Sequence, residues 1–338
     1  MIDAAYVSRV EARLGEVLGL EDFRVTSARS VSSGLSRSVV LLSATARNLA
    51  GECRYAMLNE QQDSPVAPNS EGEFAILRAL MDHPQIKAPA ACWIERDASA
   101  TGNRFLLIDQ LPGIAHPPEL LKPSYRDHAP GIVRESFAIL GRLAAIDYAS
   151  LSLPASHATP EPGRIWEIEL DRWEQALRDS NAAARPVTAA AIRHLRRSPP
   201  PVPDRVTLVH GDYRVGNFLF DTSGVTGVLD WEMAHPGNPL EDLAWYFLPH
   251  WEFAARPGLA GGYLSHEQAI AVWEECSGIT VNPAALRWWT MLCHLKAVAT
   301  WAAMRHIFTR GISDDPRTAM VSYGHVERQE SHLARMLA

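Results

Sequence analysis

Residues 206–232 read VTLVHGDYRVGNFLFDTSGVTGVLDWE, and this stretch decides how the whole chain is interpreted. A short apolar run of β-prone residues ends at His210, and two further β-prone runs follow at residues 218–220 and 225–229. Between these two runs, residues 221–224 read DTSG, which is typical of a tight turn. The pattern predicts a strand, a polar loop and a β-hairpin.

The predicted hairpin brings three polar side chains together. Its open end places Asn217, where one strand begins, beside Asp230, where the other strand returns. Paired residues of antiparallel strands lie roughly 4.5–5.5 Å apart, close enough for two side-chain oxygens to share a cation. Asp212 lies at the mouth of the same loop. An acid, an amide and a second acid match the needs of phosphoryl transfer, namely a carboxylate for the acceptor hydroxyl and oxygen ligands for magnesium.

The spacing of these residues also occurs in a known family. His-x-Asp-x4-Asn, followed after a hairpin by Asp, resembles the catalytic core of the protein-kinase-like superfamily. The sequence segments HGDYRVGN, LDWE and DLAW are similar to those of the aminoglycoside phosphotransferase and choline-kinase-like family. Residues 263–310 also resemble a subgroup that includes kinase-like domains fused to acyl-CoA dehydrogenases. Without this context, the acids and the amide are ordinary turn formers of a hairpin.

The resemblance implies an α+β, protein-kinase-like fold with two lobes. Residues 1–110 would form a small nucleotide-binding lobe with an antiparallel β-sheet and a helix. Residues 111–338 would form a larger, mostly α-helical lobe with the catalytic loop and the acceptor site. The residues agree with this division, because short β-type runs precede residue 110 and helical periodicity dominates after it.

The resemblance also assigns roles in the loop. It implies that Asp212 is catalytic and accepts the proton of the acceptor hydroxyl, and that Asn217 and Asp230 bind Mg²⁺. His210 and Asp242 would support the site structurally rather than react. For Asp242, an ordinary acid on the surface of a helix is the alternative.

The nucleotide, ATP or GTP, would be held mainly in the small lobe. Ser33 and Gly34 belong to a serine-rich loop, residues 32–38, that would fold over the phosphates in this family. Gln110 and Leu111 would form the hinge whose backbone groups meet the nucleotide base. Taken alone, both stretches are ordinary turns, and only their order along the chain favours the nucleotide-binding interpretation.

The end of the third predicted strand departs from the family pattern. The family places a Lys or Arg there to hold the α- and β-phosphates, and Asn59 is the best-aligned residue in this chain. Glu73 matches the helix glutamate that pairs with this base, and without such a partner an ordinary solvated charge at the start of a helix is the alternative. Arg54 is the nearest basic residue, but it lies on the wrong part of the strand. Either another basic residue substitutes, or nucleotide binding is weakened or lost.

Composition limits the partners and the compartment. The chain has 338 residues, a hydrophobic content of 47% and a net charge of −7, so it can bury a sizeable core. Mild acidity argues against a nucleic acid or an anionic membrane as the partner. Four scattered cysteines, a charged N-terminal segment and the lack of a long apolar run predict a cytoplasmic protein with reduced thiols.

Two functions are compatible with these patterns. The first is a small-molecule kinase that transfers the γ-phosphate of ATP or GTP to a hydroxyl group, with Mg²⁺ as cofactor. The second is a catalytically weakened pseudokinase that binds a metabolite or a protein. It is considered because Asn59 occupies the position of the family's Lys or Arg. The residues specify neither the acceptor nor the oligomeric state. Six tryptophans either line an acceptor pocket or, by default, pack in the core: Trp245, Trp251, Trp273, Trp288, Trp289 and Trp301.

Overall fold

The computed structural model of the chain describes five stretches: residues 2–31, 37–60, 69–253, 256–312 and 322–338. Two of the predicted nucleotide-binding residues, Ser33 and Gly34, lie outside the described residues. Within the described part, an antiparallel sheet is followed by a mainly helical region, and the predicted α+β class is confirmed.

The first part of the described chain forms an antiparallel sheet with two helices. The strands are β1 (Arg24–Val31), β2 (Arg37–Thr45), β3 (Cys53–Glu60), β4 (Ala91–Glu95) and β5 (Phe105–Asp109). They lie in the order β1-β2-β3-β5-β4. Helix α1, Ala4–Leu18, precedes the sheet, and helix α2, Ser70–Leu80, follows β3.

The two faces of the sheet pack against different helices. On one face, Met57 of β3 shares a core with Val10 and Leu14 of α1. On the other face, Leu58 packs against a larger core that contains Leu77 of α2 and continues into the helical part of the chain. Because successive side chains of a strand point to opposite faces, a shift of one residue along β3 exchanges these two environments.

Beyond β5 the described chain is mainly helical. The helices are α3 (Ala129–Ala144), α4 (Ile165–Asp179), α5 (Pro186–Arg197), α6 (Leu240–Tyr246), α7 (His266–Ser277), α8 (Pro283–Thr309) and α9 (His325–Leu337). Helix α8 is 27 residues long, and α4, α5, α6 and α9 pack against it. In the described ranges, no helix combines the length and the apolar character that crossing a membrane requires.

Two short antiparallel sheets carry the polar loop. Strand β6, Thr207–Val209, pairs with β9, His235–Gly237. Strand β7, Phe218–Asp221, pairs with β8, Gly224–Val228, and forms a hairpin. The strand, loop and hairpin predicted from the sequence are therefore all present, and the loop, residues 210–217, connects β6 to β7.

The hairpin contacts the junction between the sheet and the helical part. Ile114 and Phe220 exchange two backbone hydrogen bonds, at 3.0 and 3.1 Å. The carbonyl oxygen of Lys87 accepts a hydrogen bond from the Val228 N–H at 2.9 Å. The hairpin is thus held by Lys87, which precedes β4 in the chain, and by Ile114, which follows β5. A lobe boundary between residues 110 and 111 stays a prediction, and it coincides with the end of the five-stranded sheet.

Candidate active site

The polar loop begins with a tight turn at Gly211. Gly211 has a φ of +84°, and a Cβ atom there would lie 2.5 Å from the carbonyl oxygen of Met233. Glycine is required because it tolerates both the left-handed backbone and the close approach. The N–H groups of His210 and Gly211 both donate to the carboxylate of Asp242, at 2.7 and 2.9 Å. The shape of the turn is therefore fixed by a side chain of α6.

Asp242 is buried, and its surroundings affect its ionisation. Burial raises the pKa of Asp242 to about 6, and the nearby Glu241 carboxylate adds to this effect. The two N–H donors from the loop and the Lys296 ammonium act in the opposite direction. The contacts of Asp242 are those of a residue that holds the loop in place.

His210 connects the start of the loop to the end of the hairpin. Its Nε2 lies 2.9 Å from the carbonyl oxygen of Leu229, and its Nδ1 lies 3.2 Å from the backbone N–H of Asp212. A carbonyl can only accept and an N–H can only donate, so the ring carries its proton on Nε2. Burial lowers the pKa of His210 to about 4, which keeps the ring neutral. His210 therefore acts as a structural link.

The Asp212 carboxylate is oriented by three donors. Oδ1 accepts a hydrogen bond from Trp245 Nε1 at 2.8 Å, and Oδ2 accepts one from Asn217 Nδ2 at 2.7 Å. Arg214 Nε lies 3.2 Å from Oδ2. Donors from α6 and from the loop itself thus fix the carboxylate in one orientation, while its side chain keeps 16% of its surface exposed.

Asn217 and Asp230 lie together at the open end of the hairpin. Asn217 Nδ2 is 3.4 Å from Asp230 Oδ2, and the Leu229 N–H donates to the Asn217 carbonyl oxygen at 2.7 Å. Asp230 has a left-handed backbone with a φ of +70°, which is uncommon for a residue other than glycine. The loop therefore brings Asp212, Asn217 and Asp230 to one place, as the spacing predicted.

Several carboxylates surround Asp230. Desolvation by the surrounding protein, together with the carboxylates of Glu232, Asp212 and Glu73, raises the pKa of Asp230 to about 8. The side chain of Asp230 is exposed, so the repulsion from the neighbouring carboxylates is the dominant cause. Arg214 acts against the shift. Such a concentration of negative charge favours a bound cation.

The donor set suits magnesium. Carboxylate and amide oxygens are the hard ligands that Mg²⁺ prefers, and it commonly takes one or two carboxylates together with phosphate oxygens. Asn217 and Asp230 would hold the ion, with Glu232 two residues further along the chain. A divalent cation there would also relieve the repulsion among the carboxylates.

The space between the five-stranded sheet with α2 and the polar loop is called the cleft here, and on its sheet side Glu73 forms an ion pair with Arg37. Arg37 is the first residue of β2, and both side chains are buried, with exposed fractions of 7% for Arg37 and 3% for Glu73. Arg37 Nη2 also donates to Ser70 Oγ at 3.1 Å. Burial raises the pKa of Glu73, and Arg37 acts in the opposite direction. A basic residue that sequence reasoning did not identify therefore pairs with the helix glutamate.

The position of Asn59 corrects a prediction. Asn59 is buried and lies two residues after Met57, so its side chain is on the same face of β3, towards α1. Its neighbour Leu58 lies on the opposite face, towards α2 and Glu73. Asn59 therefore faces α1 and not α2 with Glu73, because side chains alternate along a strand and Asn59 is one residue away from Leu58, which faces α2.

Gln110 and Leu111 lie between the sheet and the hairpin. The Gln110 N–H donates to the carbonyl oxygen of Arg54 at 3.0 Å. Leu111 packs against Gly227 of β8, where a Cβ atom would lie 2.4 Å from Leu111 Cδ1. The two residues thus occupy the link between the two parts of the chain, and their contact with the nucleotide base stays a prediction.

A small pocket of about 140 Å³ opens beside Asp212. It is lined by Asp212, Arg214, Met233, Trp245, Trp251, Lys296, Thr300, Trp301 and Met304. The Arg214 guanidinium lies 4.6 Å from the ring centre of Trp251, and the Lys296 ammonium lies 4.7 Å from that of Trp245. The walls are mainly aromatic and apolar. The other three tryptophans are buried in the core: Trp273, Trp288 and Trp289.

Lys296 of α8 connects this pocket to the backbone of the loop. Its ammonium is buried, donates to the Gly211 carbonyl oxygen and lies 3.2 Å from the Glu241 carboxylate. His235 Nε2 lies 3.2 Å from Glu241 and 3.4 Å from Glu169. Burial opposes a charge on His235, but the two carboxylates outweigh it and raise the pKa of His235 to about 9. These side chains form a buried network of alternating charges.

The same network has the composition of a metal site. The ligand atoms of Glu169, His235 and Glu241 lie within 4.8 Å of one another. However, Lys296 already supplies positive charge beside Glu241, and a protonated His235 has no lone pair for a metal. Burial acts to raise the pKa of Glu241, but His235 and Lys296 overcome it and lower the pKa to about 2. We assign the cluster as an ion-pair network.

Sequence reasoning missed Arg37 and Lys296. A signal existed for Lys296, because it interrupts an apolar helical run and a buried lysine requires a partner. A signal for Arg37 also existed in its position at the start of a strand beside the third strand. Neither partner, Glu73 or Glu241, is close in sequence, and so neither pair forms a local pattern.

Comparison with known proteins relates the chain to phosphotransferases. A sequence profile of the phosphotransferase enzyme family matches residues 27–279. Acyl-CoA dehydrogenase family member 10 of Mus musculus is 29% identical over 212 residues, which are 58% of this chain and 19% of that protein. The chain thus spans about one fifth of the length of this relative.

Solved structures share the fold. A candidate aminoglycoside phosphotransferase from Ralstonia eutropha has a TM-score of 0.76 at 16% identity, over 97% of each chain. A thermostable mutant of an aminoglycoside phosphotransferase, solved with ADP and hygromycin B, has a TM-score of 0.57 at 16% identity, also over 97% of each chain. These similarities confirm the predicted two-lobed, protein-kinase-like fold.

The buried ion-pair network predicts a pH-dependent contribution of His235 to stability. Its pKa is about 9 in the folded protein and 6.5 as the reference value, so its charge stabilises the fold fully below pH 6.5 and is lost as the pH rises through about 9. We expect the difference in unfolding free energy between wild type and His235→Gln to be largest at and below pH 6.5, to shrink as the pH rises from 6.5 to about 9, and to be lost above that. Urea denaturation across this range measures it.

The exposed His194 at the end of α5 provides the matched control, because His194→Gln should show no such trend. An effect of His235→Gln that does not change with pH would contradict the charged state of His235.

Proposed function

The chain belongs to the phosphotransferase enzyme family, and from this premise we propose that it is a kinase that transfers the γ-phosphate of ATP or GTP to a hydroxyl group of a small molecule. The observation that carries the proposal is the convergence of Asp212, Asn217 and Asp230. Asn217 Nδ2 lies 2.7 Å from the Asp212 carboxylate and 3.4 Å from that of Asp230. One carboxylate can therefore serve the acceptor while the other serves a metal ion.

Asp212 takes the role of general base. Its carboxylate accepts the proton of the acceptor hydroxyl while the hydroxyl oxygen forms a bond to the γ-phosphorus and the bond to the leaving nucleoside diphosphate breaks. Trp245 and Asn217 hold the two carboxylate oxygens at 2.8 and 2.7 Å, so the base does not need to reorient when the acceptor arrives. Such fixed orientation lowers the entropic cost of the reaction.

Asn217 and Asp230 take the role of magnesium ligands. A magnesium ion held by these two side chains would supply positive charge against the negative charge that develops during phosphoryl transfer. The two side chains are held by the backbone of the hairpin, since the Leu229 N–H donates to the Asn217 carbonyl oxygen at 2.7 Å. The loop thus keeps the ligands together before a nucleotide binds.

We place the acceptor in the pocket beside Asp212. Trp251, Trp301 and Met304 supply apolar walls, whereas Arg214 and Lys296 are cations. Aminoglycosides carry several positive charges, and the pocket has no uncompensated carboxylate for them, because Asp212 is paired with Arg214 and Lys296 is held by Glu241. The pocket therefore supports an uncharged or anionic hydroxyl compound with an apolar portion as the acceptor, rather than an aminoglycoside.

The alternative function is a pseudokinase that binds a metabolite or a protein. The observation in its favour is that Leu58, a residue of β3 that faces α2, carries no charge for the phosphates. Magnesium-dependent nucleotide binding distinguishes the two candidates.

We assign the kinase to the cytoplasm, where its four free cysteines would stay reduced.

Replacing Asp230 tests the magnesium site. We expect Asp230→Ala to abolish magnesium-dependent ATP binding, because it removes the carboxylate ligand at the end of the hairpin. Calorimetric titration with ATP, with and without magnesium, measures the loss. Asp221→Ala is the control and should keep magnesium-dependent binding. Its carboxylate lies in the turn at the opposite end of the hairpin, where it accepts hydrogen bonds from Ser223. Full affinity in Asp230→Ala would refute the assignment.

Replacing Asp212 tests the base. We expect Asp212→Asn to reduce turnover roughly 100- to 10,000-fold, because the amide keeps the shape of the side chain but cannot take the proton. ATP affinity should stay close to that of the wild type, since Asp212 acts on the acceptor. Steady-state rates of ADP release with a hydroxyl acceptor provide the measurement, and wild-type turnover in the variant would show that the base is another group.

The walls of the pocket predict which compounds are accepted. We expect uncharged or anionic hydroxyl compounds to produce magnesium-dependent ADP release, and kanamycin or hygromycin B to produce none above the rate with water. With an acceptor in hand, Trp301→Ala should raise the KM for the acceptor several-fold and leave the KM for ATP unchanged, because Trp301 lines only the acceptor side of Asp212 in this arrangement. Efficient turnover of an aminoglycoside would contradict the prediction.

A further inference from the structure

The end of the third strand near α2 and the polar loop provides no cation for the nucleotide phosphates, because the basic residue of this strand, Arg54, lies at the opposite end and pairs with Glu52. Its side chains that face α2 include those of Ala56 and Leu58, which pack in the larger core. Glu60 follows with the same alternation, and it is an acid. Phosphoryl transfer in this fold relies on a cation at the end of β3, paired with the helix glutamate, to hold the α- and β-phosphates. A cation must therefore come from elsewhere if the nucleotide is to be bound in the usual orientation.

Arg37 of β2 lies on the same face of the sheet. It is the cross-strand partner of Glu60, and Val39, two residues later, is the partner of Leu58. Val39 packs against the larger core, which places the alternate residue Arg37 on the side of α2. Diagonal cross-strand neighbours such as Arg37 and Leu58 lie roughly 7–8 Å apart, a distance that an arginine side chain spans. Arg37 can therefore reach the place that a long cation on Leu58 would reach.

The contacts of Arg37 place its guanidinium at the cleft. It forms the buried ion pair with Glu73 of α2, and α2 packs against the short helix Trp231–Met233, which directly follows Asp230. The Arg37–Glu73 pair thus adjoins the segment that carries the proposed magnesium ligand, where the phosphates of a nucleotide would lie.

We propose that Arg37, on the second strand, is the cation that binds the α- and β-phosphates of the nucleotide, in place of a basic residue on the third strand. The guanidinium stays charged when buried, and its planar fork of donors can contact a carboxylate and a phosphate together. Glu73 fixes the guanidinium, and Ser70 Oγ, 3.1 Å from Nη2, restrains it further. This assignment rests on the proposed kinase function.

The test separates phosphate binding from the structural role of the ion pair. Arg37→Gln alone leaves the buried Glu73 carboxylate without its cation and can destabilise the protein, so Arg37→Gln/Glu73→Gln is the decisive variant. We expect both variants to bind Mg-ATP roughly 10- to 100-fold more weakly than the wild type, because a charge-assisted contact to phosphate is lost. Affinity for adenosine, which has no phosphates, should stay unchanged. Calorimetry measures both ligands, and circular dichroism verifies the fold.

Arg54→Gln is the matched control, because Arg54 lies at the other end of the sheet strand β3, is 64% exposed and pairs with Glu52. Wild-type ATP affinity in the folded double variant would overturn the assignment of Arg37 and leave the kinase function intact. A wild-type protein that does not bind ATP at all would overturn the kinase function and the role of Arg37 with it.

Discussion

The candidate active site depends on the two hydrogen bonds that the buried carboxylate of Asp242 accepts from consecutive N–H groups, those of His210 and Gly211. Loops usually lie on the surface because buried backbone groups need partners. Here the partners are side chains of two helices, since Lys296 of α8 also donates to the Gly211 carbonyl oxygen. The position of Asp212 therefore follows from the packing of α6 and α8, and it does not depend on the flexibility of an exposed loop.

The carboxylates of the cleft differ in how their charge is balanced, and this separates their roles. Glu73 has Arg37 as its partner, and Asp212 has Arg214 together with two neutral donors. At Asp230 the neighbouring carboxylates outweigh Arg214, and its pKa rises to about 8. A group whose charge is compensated can act on an acceptor as it stands, whereas a group crowded by like charges gains from a metal ion. The electrostatics thus favour Asp230 as the metal ligand and Asp212 as the base.

The site was predictable where its contacts are local, and not where they are distant. The loop and hairpin place Asp212, Asn217 and Asp230 together through turn and strand patterns that a short segment encodes completely. The pair of Arg37 and Glu73 joins residues 36 positions apart, and Lys296 reaches Gly211 across 85 positions. Such contacts are set by the packing of whole elements, for which no sequence spacing exists. The overall fold was predictable because it follows from the family pattern and from the change from strand to helix periodicity.

The position of Asn59 shows that the face of the sheet, and not one position on one strand, determines which cation can reach the nucleotide phosphates. Side chains alternate along β3, so Leu58 faces α2 and the next residue, Asn59, faces α1. Neighbouring strands lie only about 4.8 Å apart, and a long cation on either strand can end at the same glutamate. Leu58 on β3 carries no charge, and Arg37 on the neighbouring strand β2 pairs with Glu73 instead. The identity of the residue on β3 alone does not decide whether this cleft can bind a nucleotide.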